Sequence, residues 1–377
     1  MNYMTRKAAF IYSDILSRHI LREDHVMQPK RLRYTFELLD AYGAFAFQNS
    51  RLVEPRKANR SELKPFHTDD YISAVENLSE GLHEYSASKY NFSDHGDNPI
   101  YLGMYDSALL STGASILAAE MIYNGDVDIA FNPSGGLHHA MPGNASGFCI
   151  FNDPVMAIDY LVSKGLKVAY IDIDAHHGDG VEHAYYSTNK VLTISVHESG
   201  QFLFPGSGSV NSIGTGSGLG YSVNIPLHPY SNDQIYAMVM SDIILPIIDK
   251  FSPDVIATQL GMDPYFKDPI THLGLSTQGH NQLVRSLGSA CSKWLAFGGG
   301  GYDLGAVARA WTMDYGVMIG EAWDDNVPEK FKGNYGIQRL SDHELPSISE
   351  EMSERLEQFT SSTMREVKEL VFPIHSI

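Results

Sequence analysis

The sequence predicts an α/β domain built around one central, mostly parallel β-sheet flanked by helices. Two observations carry this: short runs of apolar, β-branched residues bounded by turn or polar residues, and helix-patterned stretches between them. A third is that no low-complexity linker or internal repeat divides the 377 residues. One domain over 1–377 follows, with its motif-bearing core at about 8–320.

The strand candidates, in order, are AAFIY from Ala8, VDIAFN from Val127, KVAYIDID from Lys167, VLTISVH from Val191, YSVNIPL from Tyr221, DVIATQLG from Asp254 and WLAFGGG from Trp294. Each is too short for a helix and too uniformly apolar for a half-solvated strand, as buried parallel strands are. Between them, Ala108–Gly125 has helical spacing and stops at Asn124-Gly125, while Ser231–Phe251 opens with Ser, Asn and Asp where a cap belongs. The Gly/Ser segment Gly206–Gly220 has no Gly-Lys-Ser/Thr after it and reads as an irregular surface loop rather than a phosphate cradle. The tail at 347–370 reads as a solvated C-terminal helix without chemistry.

Composition narrows the function. The chain has 27 Lys and Arg against 45 Asp and Glu, a net charge of -18. This argues against nucleic acid or an anionic membrane as partner and is compatible with a cationic ligand. The 2 cysteines, Cys149 and Cys291, are too few and too far apart for a disulfide framework or a thiolate zinc site. The N-terminus lacks a signal-peptide pattern, and no stretch is apolar enough to span a bilayer, so a cytoplasmic protein is expected. Oligomeric state stays open, a homo-oligomer included.

The chemistry concentrates in YIDIDAHHGDG, Tyr170 to Gly180, where acids and histidines crowd the end of a strand that should be buried. In an extended chain Asp172, Asp174 and His176 share a face opposite Ile171, Ile173 and Ala175. Buried carboxylates need a counter-charge, and a divalent cation is the simplest one. Oxygen and nitrogen donors without thiolate suit Zn²⁺, Fe²⁺, Co²⁺ or Mn²⁺. Other strand ends add Asp263 in QLGMDP, His138 and His139 in GGLHHAMPGN, and Tyr302 after four glycines. Singly, each has an ordinary reading as a turn, a cap or a satisfied core group; together they define a site at the carboxyl edge of a parallel sheet.

In GGLHHAMPGNASGFCIFND, YIDIDAHHGDGVEHAYY, TISVHESGQFLFPGSG, QLGMDP and GGGGY the chain resembles the zinc-dependent histone deacetylases, including the bacterial acetoin-utilisation and deacetylase-like amidohydrolases. The resemblance runs from near the N-terminus to about Trp311 and implies the arginase/deacetylase fold. It also implies Asp174, His176 and Asp263 as metal ligands, with Zn²⁺ or Fe²⁺ as the ion. Asp172 and Asp179 would accept hydrogen bonds from His138 and His139. A structural K⁺ would sit by Asp172, Asp174, His176 and Ser195, and a second by Tyr185, Thr188, Val191 and Tyr221.

The activity implied is hydrolysis of an acetyl or other acyl amide of lysine or a related small amine. His139 takes the proton from water, Tyr302 donates to the developing oxyanion, and His139 or His138 protonates the leaving amine. Phe148, Phe204 and Gly147 would line the acyl tunnel, with Asp97 at its rim. Ile270 stands where polyamine-selective members carry a glutamate, and Leu137 stands where many eukaryotic members have tryptophan. Two alternatives share parts of this pattern: an arginase-like binuclear hydrolase, and a silent acyl-lysine sensor.

Overall fold

The computed structural model describes residues 6–18, 21–82 and 85–377. Its eight strands form a single sheet in the order β2-β1-β3-β8-β7-β4-β5-β6. They are β1 (Ala8–Ile11), β2 (Ser50–Val53), β3 (Ile129–Asn132), β4 (Val168–Asp172), β5 (Val191–Glu198), β6 (Ser222–Leu227), β7 (Val255–Gln259) and β8 (Trp294–Phe297). Every pairing is parallel, so all carboxyl ends share one edge. The seven expected runs are all strands.

The eighth strand, β2, was not expected. It is an edge strand reading Ser-Arg-Leu-Val with Arg51 and Leu52 exposed, so it lacks the apolar run that marks the others.

Alternation along each strand feeds two cores. Ala169 and Ile171 pack in one, with Phe10, Phe131 and Ile194. Val168 and Tyr170 pack in the other, with Ala130, Ala257 and Phe297. Both faces are covered by helices, as the apolar runs require. The helix Met104–Asn124 is buried along most of its length and stops at Gly125, whose φ of 74° needs no Cβ.

Two expectations are refined by the structure. Ser231–Phe251 is helical from Asp233, but a π turn at Met240–Ile244 interrupts it. Pro246 stands two residues beyond it and has no N–H to give the preceding turn, which favours the wider ladder there. The terminal helix runs Glu350–His375, and it is not simply solvated: Leu356, Met364, Val367 and Val371 are buried and it packs across β6, covering the sheet where it would otherwise be open. Among the described residues no helix is long and apolar enough to cross a membrane.

Candidate functional site

Strands β3, β8, β7 and β4 are neighbours at the centre of the sheet, and the four segments leaving their carboxyl ends carry the expected side chains. The β4 ladder ends at Asp172, yet Ile173 and Ala175 remain fully buried in the same core as Ile171. The alternation thus outlasts the pairing, and Asp174 and His176 turn the other way, toward Asp263 beyond β7. His176 Nδ1 lies 3.1 Å from Asp174 Oδ1 and 2.9 Å from Asp263 Oδ2. One ligand atom from each of the three buried residues lies within 4.8 Å of the others, the single such cluster among the described residues.

Each carboxylate is held from behind. Asp174 Oδ2 accepts from Gln259 Nε2 at 2.6 Å and from the Gly300 amide at 2.7 Å, and Asp263 Oδ1 accepts from the Ala175 amide at 2.8 Å. A Cβ on Gly300 would strike Asp263 Oδ2 and stand 2.8 Å from Asp174 Oδ2, which is why the segment after β8 is a glycine run.

The electrostatics call for a cation. Burial pushes the Asp263 carboxyl up to about 6, with help from the Asp174 charge. Burial opposes charging of His176, but the hydrogen-bonded Asp174 and Asp263 carboxylates outweigh it and raise the imidazole to about 10. A buried proton on His176, with the more distant His138 and Arg31 charges, is then what balances two buried carboxylates, and a divalent ion would take the place of that proton. Two carboxylate oxygens and one imidazole nitrogen are a donor set that fits Zn²⁺ or Fe²⁺.

The histidine pair lies beside this cluster. His138 Nδ1 is 2.7 Å from Asp172 Oδ2, His139 Nδ1 is 2.7 Å from Asp179 Oδ1, and the two Nε2 atoms are 3.0 Å apart. Tyr170 Oη also donates to Asp172 Oδ2. His139 faces His176 with ring centroids 5.7 Å apart and Phe204 at 5.1 Å.

His139, His176 and Tyr302 line a cleft of about 440 Å³ together with Gly147, Phe148, Phe204, Ile270 and Asp97. Phe148 and Tyr302 meet edge to face at 5.8 Å. Burial and the nearby Asp263 and Asp174 charges hold the Tyr302 phenol well above its ordinary range, so it remains a donor. Asp97 is exposed at the mouth, and its carbonyl is 3.2 Å from His25 Nε2.

The residues expected around potassium fall in two places. Ser195 is the register partner of Asp172, next to the cluster. Tyr185, Thr188, Val191 and Tyr221 gather near the amino end of β5, where the Thr188 amide donates to the Tyr185 carbonyl and the Thr193 amide to the Tyr221 carbonyl.

Sequence reasoning passed over several residues that shape the site. Gln259 braces Asp174, and a polar side chain ending the buried run DVIATQ was a usable signal. Asp268 accepts from the Tyr302 amide at 2.9 Å and the Ile270 amide at 3.1 Å. Arg31 is buried and donates to the carbonyls of Gly299 and Gly301. Arg31 has no local signature because its partners are distant in sequence, and Asp268 reads locally as an ordinary turn to Ile270 while its bond to Tyr302 spans 34 residues.

Comparison with known proteins agrees with this architecture. A histone deacetylase domain model matches residues 25–318. The chain is 38% identical over 323 residues to the acetoin utilization protein AcuC of Bacillus subtilis, covering 84% of this chain and 83% of that one. It is 37% identical over 325 residues to type-1 histone deacetylase 1 of Dictyostelium discoideum, covering 86% of this chain but only 65% of the relative's length. Among solved structures, a histone deacetylase homologue from Aquifex aeolicus superposes with a TM-score of 0.85 at 30% identity, over 94% of this chain and 100% of that one. A homologue complexed with SAHA gives a TM-score of 0.84 at 30% identity, with the same coverage. With a domain model matching most of its length and its central sheet shared with these structures, the chain belongs to the histone deacetylase family.

Proposed function

We propose that this protein hydrolyses the amide joining an acetyl or related acyl group to the amine of lysine. The observation that supports this most directly is the convergence, in one cleft, of the Asp174–His176–Asp263 cluster with the His138–His139 pair and the Tyr302 phenol. A divalent ion held by Asp174, His176 and Asp263 would supply Lewis acidity toward the acyl oxygen and acidify water. His139, neutral and hydrogen-bonded to Asp179, takes the proton from the attacking water. Tyr302 donates to the oxygen on which negative charge develops. The protonated pair then returns a proton to the departing amine.

The substrate's acyl-bearing arm lies between Phe148 and Phe204, with Gly147 against His139. Asp97 at the mouth accepts a hydrogen bond from the substrate backbone. Ile270 offers no charge to a polyamine, which favours acetyl-lysine in a peptide. Structural potassium at the Asp172–Ser195 and Tyr185–Tyr221 positions, a cytoplasmic location and action without nucleic acid or membrane belong to the same reading.

The test couples metal analysis to turnover: metal per chain by mass spectrometry, then cleavage of acetyl-lysine peptides and acetylated polyamines with and without a hydroxamate. One divalent ion with hydroxamate-sensitive cleavage supports the proposal. Two ions would favour a binuclear hydrolase, and one ion without amide cleavage a sensor.

A further inference from the structure

The dipeptide Asn152-Asp153 does more than begin a helix. It caps Asp153–Ser163, where Asn152 Oδ1 accepts from the Val155 amide at 3.3 Å, and that single bond is all a cap requires. Every other polar atom of the two side chains is directed at one stretch of backbone. Asn152 Nδ2 donates to the carbonyls of His138 and Ala140, each at 3.0 Å. Asp153 Oδ1 accepts from the Leu137 amide at 2.9 Å, and Oδ2 accepts from the Gly136 amide at 3.1 Å and from Ser115 Oγ. Four bonds thus fall on the five residues Gly136–Ala140, on both sides of the histidine pair.

Both side chains are fully buried, and the partners of Asp153 are neutral donors. A buried carboxylate without a cation is costly and is retained where several donors must be gathered. From the other side, the Gly180 amide donates to the His138 carbonyl at 3.1 Å, and a Cβ on Gly180 would stand 2.6 Å from Asn152 Nδ2. The backbone of the pair is therefore gripped between the start of the helix Asp153–Ser163 and the start of Asp179–Tyr185. The second of these helices also supplies Asp179 to His139.

We infer that Asn152 and Asp153 are positioning residues for the proton-transferring histidines, fixing where the two rings stand relative to the metal-ligand cluster. The inference rests on the reading of His138 and His139 given above. It adds that their placement is set by this dipeptide through the main chain and not by Asp172 and Asp179 alone. Displacing such a group by about 1 Å is enough to cost on the order of 100-fold in rate.

Two variants separate this role from helix capping. Asn152→Ser keeps a cap acceptor but is too short to reach the carbonyls of His138 and Ala140. Asp153→Asn keeps the shape but sets an NH₂ group against amide donors. Ser349→Ala, which removes the cap bond to Met352 from the distant terminal helix, controls for lost stability. Each protein is purified with its metal, its active sites are counted by hydroxamate titration, and kcat and KM for an acetyl-lysine peptide are measured separately.

The expected result is kcat per titrated site lowered by about tenfold or more in both site variants, with KM and metal per chain near wild type and Ser349→Ala unaffected. Wild-type kcat per site in either variant would overturn the inference, as would kcat lost only in step with metal. A wild-type protein without amide cleavage, or a His139→Ala variant that turns over normally, would instead strike the functional reading beneath it.

Discussion

His138 and His139 present their Nε2 atoms to each other at 3.0 Å while their Nδ1 atoms turn outward to Asp172 and Asp179. An ionised carboxylate can only accept, so each Nδ1 donates. The Nε2 contact then needs one proton between two nitrogens, and the pair holds one proton more than two neutral rings. Burial works against a charge on either ring. The Asp172 and Asp174 carboxylates override it at His138, raising it to about 9, whereas burial and the His138 charge bring His139 down to about 4. His139 is therefore the neutral ring of the pair, and His138 the ring that holds charge.

His139→Ala should lower kcat by about 10²–10⁴, the range for a positioned general base. Tyr302→Phe should lower it by about 10²–10³, as for loss of one oxyanion donor. Neither side chain belongs to the Asp174–His176–Asp263 cluster, so metal per chain should stay at the wild-type level. Steady-state kinetics with elemental analysis of the same samples checks both, and wild-type turnover in either variant removes the role assigned to that residue.

Asp263→Ala should behave differently. It removes one of the three donors and leaves the Ala175 amide without its acceptor. The variant is expected to purify with little divalent metal and no measurable turnover. After chelation, added Zn²⁺ should restore the wild-type enzyme and not the variant. Retained stoichiometric metal would show that the ion sits elsewhere.

The sequence was most legible where one short run carried both burial and chemistry. The apolar half of KVAYIDIDAHH marks β4, and its acids and histidines point to a cation. Edge structure was less legible, because β2 exposes Arg51 and Leu52 and so loses the pattern that identifies a buried strand. The terminal helix misled for a related reason: its polar face dominates the composition, and the stripe of Leu356, Met364, Val367 and Val371 has meaning only against β6. Supports such as Asn152, Asp153 and Asp268 bond mainly to backbone. Backbone partners leave no trace in the side-chain pattern of the partner segment, so fold-dependent contacts of this kind appear only in three dimensions.

Gly147→Ala should impair turnover without removing metal. Gly147 has φ of 49°, and a Cβ there would collide with His139 Cδ2 and stand 2.9 Å from Cγ and 3.1 Å from Phe204 Cε1. The His139 ring, held by Asp179, has no room to yield without changing its aim, so a fall in kcat of at least about tenfold is expected. Normal kcat with a raised KM would place the contact in substrate binding alone.

His67 predicts how stability depends on pH. Its Nε2 accepts from the Asn152 amide at 3.0 Å, which requires a neutral ring at that nitrogen, and burial pulls it from 6.5 down to about 4. Above pH 6.5 the ring is neutral in native and unfolded chains alike, so its contribution is fully present. As pH falls from 6.5 toward 4 the unfolded chain binds a proton that the native protein refuses, and stability is lost by an amount on the order of 3 kcal/mol. Thermal melts across that window should therefore show Tm falling with pH in the wild type. His67→Gln can still present an acceptor to the Asn152 amide but does not titrate, so its Tm should fall less steeply. The difference between the two slopes isolates His67 from the acidic groups that titrate in both proteins, and parallel slopes would mean that the native ring is charged as readily as the unfolded one.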